Sequence, residues 1–324
     1  MIAGIFLLLV GATIMLRGAS GLAELYGIPP LVVGLTVVAF GTSAPELVVN
    51  VLGALRGETA LAFGNIAGSN MANIGLVLGL AALITPIAIE GQIIRRELPL
   101  LLLATAVLFV MALDPVLRDS TAVLDRSDGV VMLLLFAIFI YITASDLLKE
   151  AKDPLQKSDP LVSAVDTLRL SPVSSKRFQV ILVVVGLFLL AIGGKMTIDH
   201  GTVLATLLGV SPVIIGMFVV AIGTSLPELV TSVMAALKGQ ADLCVGNVVG
   251  SNLFNSMFVL PVTAVILPIE LPPGGTIDLF ASFAIALWLF PIFIFGKTIM
   301  NRATGALFLG IYFAYVALRL AQSI

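Results

Sequence analysis

The chain has 324 residues, of which 59% are apolar and only 11% charged, with a net charge of −2 and a mean hydropathy of +1.16. A water-soluble domain is about one-quarter charged, so this composition excludes a soluble globular protein and indicates an all-α integral membrane protein. With one cysteine, Cys244, and one histidine, His200, the chain has no intrachain disulfide, thiolate cluster or multi-histidine metal site, and it offers no basic patch to nucleic acid.

The opening stretch MIAGIFLLLVGATIMLRGAS is apolar first and reaches its charge, Arg17, last. A signal peptide has the reverse order, so this stretch reads as an uncleaved first span. About 20 mostly apolar residues cross a bilayer. Ten segments are predicted on that basis: 2–20, 30–55, 61–85, 98–116, 129–148, 179–198, 212–237, 243–267, 278–297 and 303–321. Between the fifth and sixth, 149–177 carries three prolines and ten charges and reads as a loop, too short for a regulatory domain. With both termini outside, the inner side holds twelve Lys and Arg, including those of this loop, and the outer side five. The positive-inside rule then makes the loop cytoplasmic.

Shifting the sequence by 182 residues aligns 27–86 with 209–268 without gaps, and 29 of the 60 positions are identical, Pro30/Pro212, Gly64/Gly246 and Asn65/Asn247 among them. Chance likeness between apolar helices would match Leu and Val instead. The chain is a duplication: a first five-helix repeat over 1–148, the loop over 149–177, and a second over 178–324. Five spans per copy is odd, so the second copy enters the membrane from the opposite side. The result is two inverted five-helix repeats, an arrangement that recurs in secondary transporters.

The hexamer GTSAPE at 41–46 recurs as GTSLPE at 223–228. Pro45 has no N–H, so the Gly41 carbonyl loses its helix partner, and Pro227 does the same to Gly223. Helices 2 and 7 are therefore expected to break. In hydrocarbon a freed carbonyl must be buried in protein or bind something. Thr42, Ser43, Thr224 and Ser225 add hydroxyls there, and Glu46 and Glu228 add charge. In the third span, GNIAGSNMAN places Asn65, Ser69 and Asn73 on one stripe, and GNVVGSNLFN places Asn247, Ser251 and Asn255 likewise. The glycines of these segments permit close helix approach. Ser69, Asn73, Ser251 and Asn255 read as ion ligands. Asn65, Asn247, Asn70 and Asn252 read equally as ligands or as bonds between helices. Asn50 and Ser232, one turn after each glutamate, are placed to orient it. Such an all-oxygen set suits hard cations such as Ca²⁺ and Na⁺. Two bare carboxylates about 4 Å apart repel by about 4 kcal/mol at an effective dielectric of 20. One Ca²⁺, several Na⁺ or two protons would each relieve that, so the carrier is expected to reset only when loaded.

At these residues the sequence resembles the cation/Ca²⁺ exchanger superfamily, and within it the prokaryotic Na⁺/Ca²⁺ exchangers. The two family repeats are matched by 39–73 and 221–255. The resemblance implies Ca²⁺ held by Glu46 and Glu228 with the carbonyls of Thr42 and Thr224. It implies flanking Na⁺ sites using the carbonyls of Ala39 and Ala221 with Ser43, Ser225, Ser69 and Ser251. Asn73 and Asn255 would lie at the middle. It also implies that spans 1 and 6 slide across a fixed core, three Na⁺ being exchanged per Ca²⁺. Some members carry Asp in place of Asn255, and its lack here argues against K⁺ co-transport. Proton-coupled members tend to have Asn after the hexamer's glycine, so Thr42-Ser43 and Thr224-Ser225 favour Na⁺.

The expected function is thus Ca²⁺/Na⁺ antiport across a prokaryotic cytoplasmic membrane, with H⁺/Ca²⁺ antiport through the same glutamates as the alternative and a cation channel as a remoter one. No enzyme is expected, because nothing pairs a base with Ser43 or Ser225. No resident cofactor or obligate protein partner is evident: the ions are substrates and the lipid bilayer is the solvent. Asp114, Asp119, Asp125 and Asp128 read as a solvated loop, Asp199 and His200 as a helix end, and Cys244 as inert packing.

Overall fold

The computed structural model describes residues 2–88, 96–117, 119, 121–150, 175–207, 221–294 and 299–323. Most of the central loop, the first part of the seventh expected span and the end of the ninth lie outside the described residues. Helix occurs in each of the ten expected segments. Among the described residues six helices are long and apolar enough to cross a membrane: Ile2–Tyr26, Thr59–Ile84, Arg126–Ser145, Lys176–His200, Ala241–Ile266 and Arg302–Ala321. The pair Leu31–Thr42 and Ala44–Leu55, bent by 43°, makes a seventh, while Leu98–Met111, Leu226–Leu237 and Gly275–Phe290 are apolar but shorter. Leu98–Met111 has 14 residues, about 21 Å at 1.5 Å per residue.

The sixth span departs from expectation. Helix runs over Lys176–Leu207, 32 residues, passing through Asp199 and His200 instead of ending there. His200 Nδ1 lies 2.7 Å from the Met196 carbonyl, one turn back. Hydropathy ends a span at its first polar residues, whereas the backbone ladder ends only where hydrogen bonding does.

The bilayer inverts the usual sorting of apolar residues. Thr59–Ile84 and Ala241–Ile266 are 78% buried over their apolar stretches and form the centre, although with their Asn, Ser and Gly they are among the less apolar of the six. Arg126–Ser145, Lys176–His200 and Arg302–Ala321 are only 17–28% buried and form the perimeter. Phe188, Tyr141 and Phe313 are exposed there, which in water would be an aggregation surface and in lipid is a solvated one.

Ile2–Tyr26 packs antiparallel along Lys176–Leu207 through glycines seven residues apart. A Cβ on Gly4, Gly11 or Gly18 would meet the backbone of Gly193, Gly186 or Gln179, and one on Gly186 would lie 2.6 Å from the Met15 nitrogen. Close backbone approach of this kind is how helices gain van der Waals contact where lipid removes the hydrophobic drive.

Each copy turns between its broken span and the next in the same way. Gly57 N donates to Ala54 O and Glu58 N to Gly53 O; Gly239 N donates to Ala236 O and Gln240 N to Ala235 O. This is the Schellman ending, which needs a left-handed residue, and Gly57 and Gly239 have φ of +80° and +72°. Two short antiparallel bridges join the halves, Ile87 opposite Met300 and Val123 opposite Glu270.

The π-helical segments Gly34–Val38, Ala72–Leu78 and Asn255–Val259 were not legible in the sequence. A helix apolar nearly all round has no stripe whose slip in phase would reveal them. The second and third occupy equivalent places in the two copies, at Asn73 and Asn255. Single-turn π segments concentrate at functional sites.

Candidate cation site

Each hexamer starts a new helix at mid-chain. Ser43 has φ −86° and ψ 6°, outside the helical region, and Ser225 has −86° and 5°. Helices Ala44–Leu55 and Leu226–Leu237 follow, with proline in the first turn, where a missing N–H costs nothing, and with Glu46 and Glu228 beside it. An acid there also faces the positive end of the helix dipole. Ser-x-x-Glu has the spacing of a capping box, in which the serine would cap its own helix. Neither serine does so. Ser43 Oγ donates to Glu228 Oε1 at 3.0 Å, and Ser225 Oγ to Ser69 Oγ at 3.1 Å. Each first copy hydroxyl therefore reaches the second copy, and the reverse.

The crossing pattern extends outward and obeys the 182-residue shift. Thr42 Oγ1 donates to Asn247 Oδ1 and Thr224 Oγ1 to Asn65 Oδ1, both at 3.1 Å. Asn65 Nδ2 donates in turn to Asn50 Oδ1 at 2.7 Å, and Asn247 Nδ2 to Ser232 Oγ at 2.9 Å. Asn50 and Ser232 thus do not brace the glutamates, as the sequence suggested. They brace Asn65 and Asn247, amides of the neighbouring helix that lie within hydrogen-bond reach. The asparagines left open between two roles bond between helices: Asn70 and Asn252 accept from Asn255 and Asn73.

All the proposed ligand side chains that the structure describes are buried, from Thr42 and Ser43 to Ser69, Ser251, Asn73 and Asn255, and both glutamates are 0% exposed. Ala221 is described in its backbone alone. Glu228, Thr224 and Ser69 lie close to Glu46, yet neither Glu46 oxygen has a hydrogen-bond partner. Glu228 Oε2, Asn73 Oδ1, Asn255 Oδ1 and Ser251 Oγ are likewise buried without one. Six such oxygens on five expected ligand residues would be an unsupportable cost in an apolar core, since an unpaired buried polar atom costs about 1–3 kcal/mol and a charged one more. A cation among them reverses the sign. The Ala39 carbonyl is placed differently: it accepts from Ser43 N at 3.0 Å, and with the Thr42 hydroxyl turned to Asn247 Oδ1 it keeps one lone pair for an ion. Among the described residues no three His, Cys, Asp or Glu side chains cluster, which leaves an all-oxygen donor set with two carboxylates.

The family model described as sodium/calcium exchanger protein matches residues 1–144 and 178–321. The chain belongs to the sodium/calcium exchanger family. The chain is 32% identical over 273 residues to inner membrane protein YrbG of Escherichia coli, covering 84% of this chain and 81% of that one. It is 34% identical over 215 residues to CaxA of Alkalimonas amylolytica, named as a candidate antiporter, covering 66% and 61%. Among solved structures, the sodium-calcium exchanger NCX_Mj, soaked with Na⁺ and no Ca²⁺, superposes with a TM-score of 0.80 at 28% identity, covering 98% of this chain and 96% of that one.

Residues set aside from the exchanger's chemistry lie elsewhere. Asp125 Oδ1 accepts from Asp128 N, and Asp128 Oδ2 from Asp125 N, so this pair starts helix Arg126–Glu150, while Asp114 Oδ2 accepts from Val123 N. Ser256 and Thr263 were missed. Ser256 accepts from Asn70 and Thr263 lies 3.5 Å from Asn50. Neither has a polar counterpart in the first copy, where Ile74 and Ala81 stand, so the repeat that pointed to the other residues was silent on them.

Proposed function

We propose that this protein is a secondary antiporter that exchanges Ca²⁺ for Na⁺ by alternating access. Its ten spans form two inverted five-helix repeats, 1–148 and 178–324, joined by a cytoplasmic loop over 149–177, in a prokaryotic cytoplasmic membrane with both termini outside. The carrying observation is the group of unpartnered oxygens on Glu46, Glu228, Asn73, Asn255 and Ser251. In this reading Glu46 and Glu228, with the carbonyls of Thr42 and Thr224, hold Ca²⁺. Ser43, Ser225, Ser69 and Ser251 with the carbonyls of Ala39 and Ala221 hold Na⁺. Asn73 and Asn255 stand between. Donors that cross from one copy to the other support a shared, central site, and the glycine seam supports spans 1 and 6 moving as one body past it.

An empty site holds two desolvated negative charges and resists passing a closed barrier. A loaded one is neutralised, which makes exchange obligatory. NCX_Mj is described as undergoing ion exchange and induced binding-site occlusion, and the same behaviour is proposed here. Proteoliposomes loaded with Na⁺ and diluted into Na⁺-free buffer should accumulate radioactive Ca²⁺. Uptake driven only by a pH jump, with no Na⁺ on either side, would assign the glutamates to protons instead. Flux with no counter-ion requirement would make the protein a channel.

A further inference from the structure

The amides of Asn73 and Asn255 are held by two hydrogen-bonded chains with different anchors. Asn252 Nδ2 donates to the Asn70 backbone carbonyl at 3.1 Å. A carbonyl only accepts, so this bond fixes which way round the Asn252 amide sits. Its Oδ1 then accepts from Asn73 Nδ2 at 2.9 Å, which turns Asn73 Oδ1 away as one of the unpartnered buried oxygens. In the second chain, Asn255 Nδ2 donates to Asn70 Oδ1 at 3.2 Å, and Asn70 Nδ2 to Ser256 Oγ at 2.9 Å. Asn255 Oδ1 is left unpartnered in the same way.

We propose that Asn252 and Asn70 are positioning residues that hold the Asn73 and Asn255 amides with their oxygens toward the transported cation. The inference rests on the cation-exchange reading above. An amide is nearly the same shape either way round, but one end accepts and the other donates. Inverted, Asn73 or Asn255 would aim two N–H groups at a cation. Nothing in local sequence distinguishes the two states; at Asn73 the carbonyl-anchored Asn252 does, and at Asn255 Asn70 does so less firmly, since its own anchor is the Ser256 hydroxyl, which can donate or accept. Where Asp would offer oxygen from both ends, Asn needs this second layer, and the chain supplies it at both places. Removing outer partners of metal ligands typically costs 10–100-fold in affinity or activity.

Initial rates of Ca²⁺ uptake into Na⁺-loaded proteoliposomes test this, using Asn252→Leu, Asn73→Asp and their combination. Leucine has the branched shape of asparagine and cannot accept the Asn73 proton. Asn252→Leu should raise the Ca²⁺ KM about tenfold or more, with a smaller change in the maximal rate. In the Asn73→Asp background the same substitution should not raise KM, because a carboxylate presents oxygen either way round and has no proton to give the fixed Asn252 Oδ1. A KM for Asn252→Leu within about twofold of the wild-type value overturns the proposal. So does an equal rise in both backgrounds, since a packing defect is indifferent to amide polarity. Asn70→Leu, with and without Asn255→Asp, gives the second arm if the first variant does not fold. A wild-type protein inactive under every imposed gradient would instead remove the exchange reading, and this inference with it.

Discussion

Ser43 and Ser225 show how far a residue's role depends on what lies opposite it. Each stands at an N-cap, where a side-chain cap is typically worth about 1 kcal/mol, and neither hydroxyl provides it. Ser43→Ala should therefore lower the ion-free melting temperature through the stranded Glu228 Oε1 of the other copy and not through its own helix, while raising the Na⁺ concentration for half-maximal exchange several-fold, measured as Na⁺-dependent Ca²⁺ release from proteoliposomes. The glutamates give the sharper contrast. Glu46 has two unpartnered oxygens and Glu228 one. Glu46→Gln and Glu228→Gln should each abolish exchange. Each should also melt no lower than the wild type at pH 8 without Ca²⁺ or Na⁺, because a buried charge has been removed. A fully active single variant would take its residue out of the site.

At the scale of elements, two proline-broken helices carry the chemistry and two glycine turns carry the shape. Pro45→Ala returns an N–H to the Gly41 carbonyl, and the 43° bend should relax toward a continuous helix. The expected result is equal or higher thermal stability with transport at least tenfold lower, read from melting curves and uptake rates on one preparation. Gly57→Ala and Gly239→Ala should do the opposite. No atom lies within 4 Å of a Cβ built at either glycine, so the cost is conformational, about 1–2 kcal/mol for an L-residue in the left-handed region. Melting should fall and the Ca²⁺ KM should stay.

For the whole molecule, the pairing of Ile2–Tyr26 with Lys176–Leu207 is the feature most open to test. The helices meet backbone to backbone at Gly4, Gly11, Gly18, Gly186 and Gly193, and their contact with the core is looser than with each other. Leu187 on this pair would meet a Cβ placed on Gly41, and Ile198 one placed on Gly223, so one helix touches both breaks. Gly11→Val or Gly186→Leu should wedge the pair apart at a typical overpacking cost of about 1–3 kcal/mol. Exchange should be lost while Ca²⁺ still raises the melting temperature of the purified protein, since the site itself lies elsewhere. Loss of the Ca²⁺-induced shift as well would mean that the pair builds the site and does not merely move past it.

The membrane setting, the duplication, the breaks at Pro45 and Pro227 and the repeated polar residues Glu46, Ser69, Asn73 and their copies, all of which the fold buries, were legible in one dimension. Composition, a missing N–H and a 182-residue shift are properties of the chain as written. Which acceptor each donor chose was not. Ser43 turned to Glu228 and not to its own helix, Asn50 and Ser232 held amides and not carboxylates, and Ser256 entered with no partner in the repeat to announce it. The π segments and the full length of the sixth span were hidden as well. A donor commits to the acceptor nearest in space, and packing brings the other copy's atoms closer than those of its own turn; only the folded chain holds that distance.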